Sequence, residues 1–121
     1  MQRVTKKTNP QLINLIIMLK ETARKNEANI WHDLAKKLES PTKNYAEVNI
    51  SKINRYANES ETILVPGKVL GTGSLEQPVK IAALNFSKSA LGKIKEAHGS
   101  YMTIEELLTI NPKGSRIRIL R

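Results

Sequence analysis

The chain has 121 residues, no cysteine and a formal net charge of +9, from 20 lysines and arginines against 11 aspartates and glutamates. This length predicts one domain with a modest core. The missing cysteines exclude disulfides, thiolate nucleophiles and sulfur metal sites. Such an excess of positive charge favours a partner with dense negative charge: RNA, DNA or an anionic membrane face.

A membrane partner is disfavoured by the hydropathy pattern. The longest apolar run, 12–19, is interrupted by Asn14 and falls short of the roughly 20 residues that span a bilayer. Nearby lysines flank its apolar stripe, whereas a helix at a membrane surface would have them face it. No small-residue cleavage site follows the basic N-terminus, so we predict no secretory signal.

The first part of the chain predicts a basic arm followed by two paired helices. Residues 1–8 carry three cations and little to bury, and we expect this arm to be flexible in the isolated protein. Asn9 is suited to cap a helix that has Pro10 at its first position. A second helix is predicted over 30–39, and the two form a helical hairpin over 9–40.

The apolar stripe of the first helix is wide. Its members are Leu12, Ile13, Leu15, Ile16, Ile17, Leu19 and Ala23. A stripe wider than one packed face requires favours a helix packed on two sides within the domain. The alternative is that part of it contacts a neighbouring protein.

Short apolar runs predict strands in the rest of the chain. They are 47–50, 62–65, 68–70, 79–84 and 116–120. Pro66-Gly67 is predicted to form a tight turn between the second and third of them. Because helices alternate with these strands, 47–121 is predicted to be an α/β core, and 9–121 a single domain.

Capping residues place three helices among these strands. Ser51 is expected to cap a short helix, and Ser87 a longer one that Gly99 closes in a left-handed conformation. Thr103 and Glu106 match the capping box of a third. We expect the lysines of the longer helix to lie on its solvent side: Lys88, Lys93 and Lys95.

The glycine-punctuated segment 65–73 is the closest match to an enzymatic motif. A nucleotide-binding loop needs Gly-Lys-Ser/Thr five residues after its first glycine. Here Lys68 directly follows Gly67, and neither Gly71 nor Gly73 precedes a lysine. We therefore interpret the segment as a rigid platform for a polyanion, built around a turn between strands, and not as an active site.

No residue pattern indicates catalysis or metal binding. The two histidines, His32 and His98, are far apart in sequence, and no pair has metal-ligand spacing. Glu105 and Glu106 are adjacent, and adjacent residues on a helix point about 100° apart. The five aromatic residues are scattered, which favours recognition of shape and phosphate over base stacking. We predict no catalytic residue, no cofactor and no metal.

Several stretches, in this order along the chain, resemble one family of ribosomal proteins. They are 48–55, 65–71, 82–87 and the closing pair 104–108 and 111–114. The family is the large-subunit ribosomal protein numbered eighteen in archaea and eukaryotes, related to bacterial large-subunit protein fifteen. The short chain, without long basic extensions, is more similar to the archaeal form.

The resemblance implies an α/β fold in which a helical hairpin precedes irregular β-β-α turns that form a small superhelical domain. It implies a structural constituent of the large ribosomal subunit, bound to folded ribosomal RNA, with no enzymatic activity. The implied partners are this RNA and neighbouring large-subunit proteins. The implied state is a monomer within the cytoplasmic ribosome.

Ten basic residues are candidates for binding RNA phosphate. Lys52, Arg55 and Lys68 lie in matched motifs, so the resemblance implies their role. Arg116 and Arg118 are predicted to project from one face of the last strand, and arginine can donate two parallel bonds to a phosphate. The remaining candidates lie in the arm and near the C-terminus: Arg3, Lys6, Lys7, Lys113 and Arg121.

Two alternatives stay open at this point. Any single candidate could be an ordinary solvated charge, since basic residues cover many protein surfaces. The whole chain could be a free RNA-binding protein or RNA chaperone. The usual sequence signs of such proteins are missing: zinc fingers, an aromatic platform, and a helix-turn-helix with a polar recognition face.

Overall fold

The computed structural model describes residues 10–41, 45–58 and 60–121, which form five helices and five strands. In chain order they are α1 Pro10–Asn26, α2 Asn29–Glu39, β1 Ala46–Asn49, α3 Ile50–Tyr56, β2 Thr62–Leu70, β3 Lys80–Phe86, α4 Lys88–Glu96, β4 Ser100–Thr103, α5 Ile104–Ile110 and β5 Ile117–Ile119. The arm 1–8 and the cap residue Asn9 lie outside the described residues. The predicted α/β class, with helices preceding β-α units, is confirmed.

All five strands pair in parallel in one sheet. The order is β1-β2-β3-β4, and β5 also pairs with β2. β5 lies beside Thr62–Leu64, the first residues of β2, and β1 lies beside its last residues, 67–70. Because β3 occupies the opposite edge of β2, β5 and β1 share one edge, end to end.

The Pro66-Gly67 pair is the main correction to the predicted strands. It lies inside a continuous β2, so the two predicted strands are one. Val65 pairs with Ala83 and Lys68 with Asn85, which leaves Pro66 and Gly67 together opposite a single residue of β3. Such a β-bulge accommodates a proline that has no N–H to donate. The change of neighbour from β5 to β1 falls at the same place.

The strand side chains alternate between two hydrophobic clusters, one on each face of the sheet. On one face, Leu64 and Ala82 pack with apolar residues of α1, α2 and α5. On the other, Ile63 and Ile81 pack with α3 and α4. The sheet is therefore the middle layer of three, and its exposed edges and loops are the surfaces left for partners.

The helical hairpin is confirmed, with one difference in burial. Leu15, Ile16 and Leu19 of α1 are buried against α2, whereas Ile17 is 49% exposed. Trp31 of α2 is fully buried in the same hydrophobic cluster. No helix in the described residues is long and apolar enough to cross a bilayer.

The caps are confirmed at two helices and wrong at two positions. Ser87 accepts a hydrogen bond from the backbone of α4, and the Thr103–Glu106 capping box of α5 is present in both directions. The cap of α3 is Asn49, so Ser51 lies inside the helix. After α4, His98 and not Gly99 has the positive φ, at 62°. Gly99 is needed for a different reason, because a Cβ there would lie 2.6 Å from a backbone oxygen of Val79.

One strand escaped the prediction. β4 is only four residues long, and three of the four are exposed. It forms one end of the sheet order and pairs with β3 alone. A strand exposed on both sides carries no apolar alternation for a sequence pattern to detect.

Candidate nucleic-acid interface

Seven of the ten predicted cations lie in the described residues, and five of these lie on α3 or at β5 and its two ends. Arg3, Lys6 and Lys7 are outside the described part. We name as the β5-edge surface the following set: Arg116, Arg118, Arg121, Lys52 and Arg55. Lys68 and Lys113 lie elsewhere.

The β5-edge surface begins with the last strand. Arg118 is exposed between the half-buried Ile117 and Ile119, which is the alternation that the sequence predicts. Arg116 lies just before the strand with a φ of 57°, so it is not part of the regular alternation. Its carbonyl oxygen accepts a hydrogen bond from the Thr62 backbone at 2.9 Å, which fixes the start of β5 against β2.

The surface continues from β5 onto α3. The Leu120 backbone N–H donates to the Leu64 carbonyl at 3.0 Å, so the pairing with β2 extends past β5. Lys52 of α3 then donates from Nζ to the carbonyl oxygen of Arg121. One turn further along α3, the exposed Arg55 guanidinium lies 6.0 Å from the ring centroid of Tyr56. These contacts place cations of two distant sequence segments on one surface.

Two cations of this surface already have partners within the protein. The Arg118 Nε lies 3.0 Å from a carboxylate oxygen of Glu61, and both side chains are partly exposed. The ammonium group of Lys52 donates to a main-chain oxygen of Arg121. Both cations therefore exchange a partner within the protein when they bind phosphate.

Lys68 stands apart, on the other side of the bulge. It is exposed on β2, paired in register with Glu47 on β1 and Asn85 on β3. All three line an open groove of about 370 Å³. A Cβ on Gly67 would lie 1.9 Å from the carbonyl oxygen of Ala46. The close approach that this glycine permits is thus to β1, and not to a ligand.

Lys113 is exposed on the turn after α5. Asn111 holds this turn through its side-chain amide, which donates to the Ser115 carbonyl at 2.7 Å. Gly114, with a φ of 72°, packs against Ile30 and Trp31. The turn is therefore fixed to the helical hairpin, and it presents Lys113 away from it.

The described residues contain no group of histidines, aspartates and glutamates able to hold a metal ion. His32 and His98 are both exposed, on different elements. Glu106 is engaged in the capping box through its carboxylate. The two histidines therefore lie apart in the described part of the chain, and the carboxylate of Glu106 is occupied by the cap.

Sequence reasoning missed two features near the predicted sites. Phe86 and Tyr101 are 15 positions apart yet form a tilted ring pair with centroids 5.5 Å apart, which local spacing could not reveal. Lys93 is half-buried and bonds backbone carbonyls, although we expected it on the solvent side. Lys93 lies one turn after the buried Ala90, and this spacing could have predicted that Lys93 borders the packed face of α4.

These features define a class of protein: a basic α/β domain with cations grouped on one surface, suited to binding a polyanion. A family model described as "Ribosomal protein 60S L18 and 50S L18e" matches residues 1–121. The chain belongs to this family, and it is a ribosomal protein with a structural and not an enzymatic role, as the sequence predicted.

Archaeal relatives match over nearly the full length. The chain is 64% identical over 121 residues, all of both chains, to large ribosomal subunit protein eL18 of Methanoregula boonei. It is 66% identical over 116 residues, 96% of each chain, to the protein of the same name from Methanosphaerula palustris. For Archaeoglobus fulgidus the identity is 52% over 115 residues, 95% of this chain and 98% of the relative.

Proposed function

We propose that the chain is a structural constituent of the large ribosomal subunit and stabilises folded ribosomal RNA by phosphate contacts. The proposal rests on the curated relatives, which are named large ribosomal subunit proteins, and on the net charge of +9. Folded RNA concentrates phosphates, so a protein packed among RNA helices needs spaced cations more than a pocket. The cytoplasmic ribosome is the proposed location.

The observation that carries the proposal is the β5-edge surface. Arg118 lies on the last strand, Arg116 just before it and Arg121 two residues after it, and Lys52 of α3 bonds the main chain at Arg121. An extended chain rises about 3.3 Å per residue, so this surface can address several phosphates of one RNA backbone. Lys68 and Lys113 would make separate contacts on other faces, and Arg3, Lys6 and Lys7 would bind through the arm.

Salt dependence of RNA binding tests this proposal. Each phosphate neutralised by a cation contributes about −0.7 to −0.9 to the slope of log affinity against log salt. A triple variant with Arg116→Gln, Arg118→Gln and Arg121→Gln should bind a large-subunit ribosomal RNA fragment more weakly, with a slope shallower by about 2. Its matched control is the triple variant Lys25→Gln, Lys36→Gln and Lys95→Gln, which removes three exposed lysines from α1, α2 and α4.

The two triple variants have the same net charge, so a difference between them reports the surface and not the total charge. Equal slopes for both would contradict the role of the β5-edge surface. Weak, salt-insensitive binding by the wild-type protein would contradict the proposed function itself. Co-sedimentation with the large subunit in a sucrose gradient distinguishes this function from that of a free RNA chaperone, which would remain with free RNA.

A further inference from the structure

The first residues of the loop between β2 and β3 are bonded to α3 and α4 through their backbone carbonyl groups. Lys93 of α4 donates from Nζ to the carbonyl oxygen of Gly71 at 2.5 Å and to that of Gly73. The carbonyl oxygen between them, on Thr72, accepts from the backbone N–H of Ser51 at 3.1 Å. Three consecutive carbonyls of the loop are thus bonded to α3 and α4.

Three successive N–H groups of the same loop have no acceptor among the described residues. Within the described part of the chain, the backbone N–H groups of Thr72, Gly73 and Ser74 donate to no protein acceptor, and all three residues are exposed. Gly73 has a φ of 99°, whereas Thr72 keeps a negative φ. Successive free N–H groups in a turn conformation can form an anion-binding concavity.

The loop is also rigid, because its glycines are closely packed. A Cβ on Gly73 would lie 2.4 Å from the Cβ of Ser51, and one on Gly71 would lie 2.8 Å from the backbone nitrogen of Ala90. Neither position has room for a side chain. A site that keeps its donors in place before binding loses little entropy when the ligand arrives.

We propose that the free N–H groups of Thr72, Gly73 and Ser74 bind one RNA phosphate, and that Lys93 is the positioning residue that turns them outward. The inference rests on the proposed RNA-binding function and adds a contact that uses no side-chain charge. The loop packs on α3 at Ser51 and Asn54, and Lys52 and Arg55 of the β5-edge surface are the next residues along that helix. Lys93 itself does not touch the phosphate, because its ammonium group is bonded to the loop carbonyls.

The salt slope separates positioning from direct contact. Lys93→Met should weaken binding of the large-subunit RNA fragment about tenfold and leave the slope unchanged, since the lost donors are neutral amides. Loss of a lysine that contacts phosphate directly would instead make the slope shallower by about 0.7 to 0.9. The matched control is Lys95→Met, because Lys95 is exposed on the same helix and its loss changes net charge equally. It should leave affinity and slope near those of the wild type.

Amide chemical shifts test the site without relying on the variant's stability. In ¹⁵N-labelled wild-type protein, the amide signals of Thr72, Gly73 and Ser74 should move when inorganic phosphate or the RNA fragment is added. They should not move in Lys93→Met. If the wild-type protein binds the RNA fragment while these three signals stay in place, the inference is overturned and the proposed function stands. If the fragment does not bind at all, the proposed function fails first.

Discussion

The indole Nε1 of Trp31 donates a hydrogen bond to the carbonyl oxygen of Pro112 at 2.7 Å. The two residues are 81 positions apart, and their contact joins the helical hairpin to the turn after α5. Gly114, in the same turn, packs closely against the helical hairpin, because a Cβ there would lie 2.6 Å from the Ile30 side chain. The contact of Trp31 with Pro112 adds a polar bond to the apolar packing of α1 and α2 against α5.

Trp31→Phe should therefore destabilise the protein by about 2–4 kcal/mol. The change leaves a cavity in the cluster between α1, α2 and α5, and it leaves the Pro112 carbonyl without its donor. Equilibrium unfolding in urea measures the loss. The control is Tyr56→Phe on the exposed end of α3, which should change stability by less than about 0.5 kcal/mol. Equal effects of the two variants would contradict the structural role of the hydrogen bond.

Gly67 and Gly92 give a second, opposed pair of predictions. Gly67→Ala places a Cβ 1.9 Å from the Ala46 carbonyl oxygen, whereas a Cβ on Gly92 meets nothing within 4 Å. The first variant must push β1 away from β2 and should cost about 2 kcal/mol or more. The second, inside α4, should stabilise the protein by about 0.5–1 kcal/mol because alanine is the better helix former. Thermal unfolding of both variants checks the opposite signs.

The segment around Pro66-Gly67 shows how far the sequence could predict this fold. Apolar runs and capping residues correctly indicated α1, α2, β3, α4 and α5, because each of these signals acts within a few residues. The Pro-Gly pair is also a strong local signal, and it predicted a turn. The pairing with β3 and the change from β5 to β1 override that preference and make it a bulge in a strand.

The candidate site divides in the same way. Alternation correctly placed Arg118 on the exposed face of β5, since strand periodicity is local. The same prediction was wrong for Arg116, which lies before the strand with a positive φ. The contact of Lys52 with Arg121 and that of Lys93 with the 71–74 loop join segments far apart in sequence. No spacing rule on a single sequence reports such contacts, so the surface as a whole could be described only from the fold.

The exposed Ile17 decides between the two explanations of the wide apolar stripe. Leu15 is 2% exposed and Ile17 is 49% exposed. The helix is therefore packed on the side of Leu15, and the side chain of Ile17 is half exposed to solvent. Leu15→Ala should cost about 2–5 kcal/mol in urea unfolding. Ile17→Ala should cost less than about 1 kcal/mol. A large loss at Ile17 would contradict this assignment and would favour packing on both sides of the helix.

The Arg118–Glu61 ion pair predicts a variant that binds RNA more tightly. Glu61→Gln removes the carboxylate that lies 3.0 Å from Arg118. Arg118 then has no ion pair with Glu61 to give up when it binds phosphate. An exposed pair is worth up to about 1 kcal/mol, so affinity for the large-subunit RNA fragment should rise by up to about fivefold. Protein stability should change little for the same reason.

Glu96→Gln is the matched control, because it raises the net charge equally from the exposed end of α4. Filter binding at one fixed salt concentration compares the two variants. Only Glu61→Gln should gain more than the small, shared effect of the added charge. If both variants gain equally, Arg118 is not a local phosphate ligand, and its pairing with Glu61 serves only to fix β5 beside the start of β2. If the gain at Glu61 disappears when Arg118→Gln is added, the two residues are coupled through the RNA contact itself.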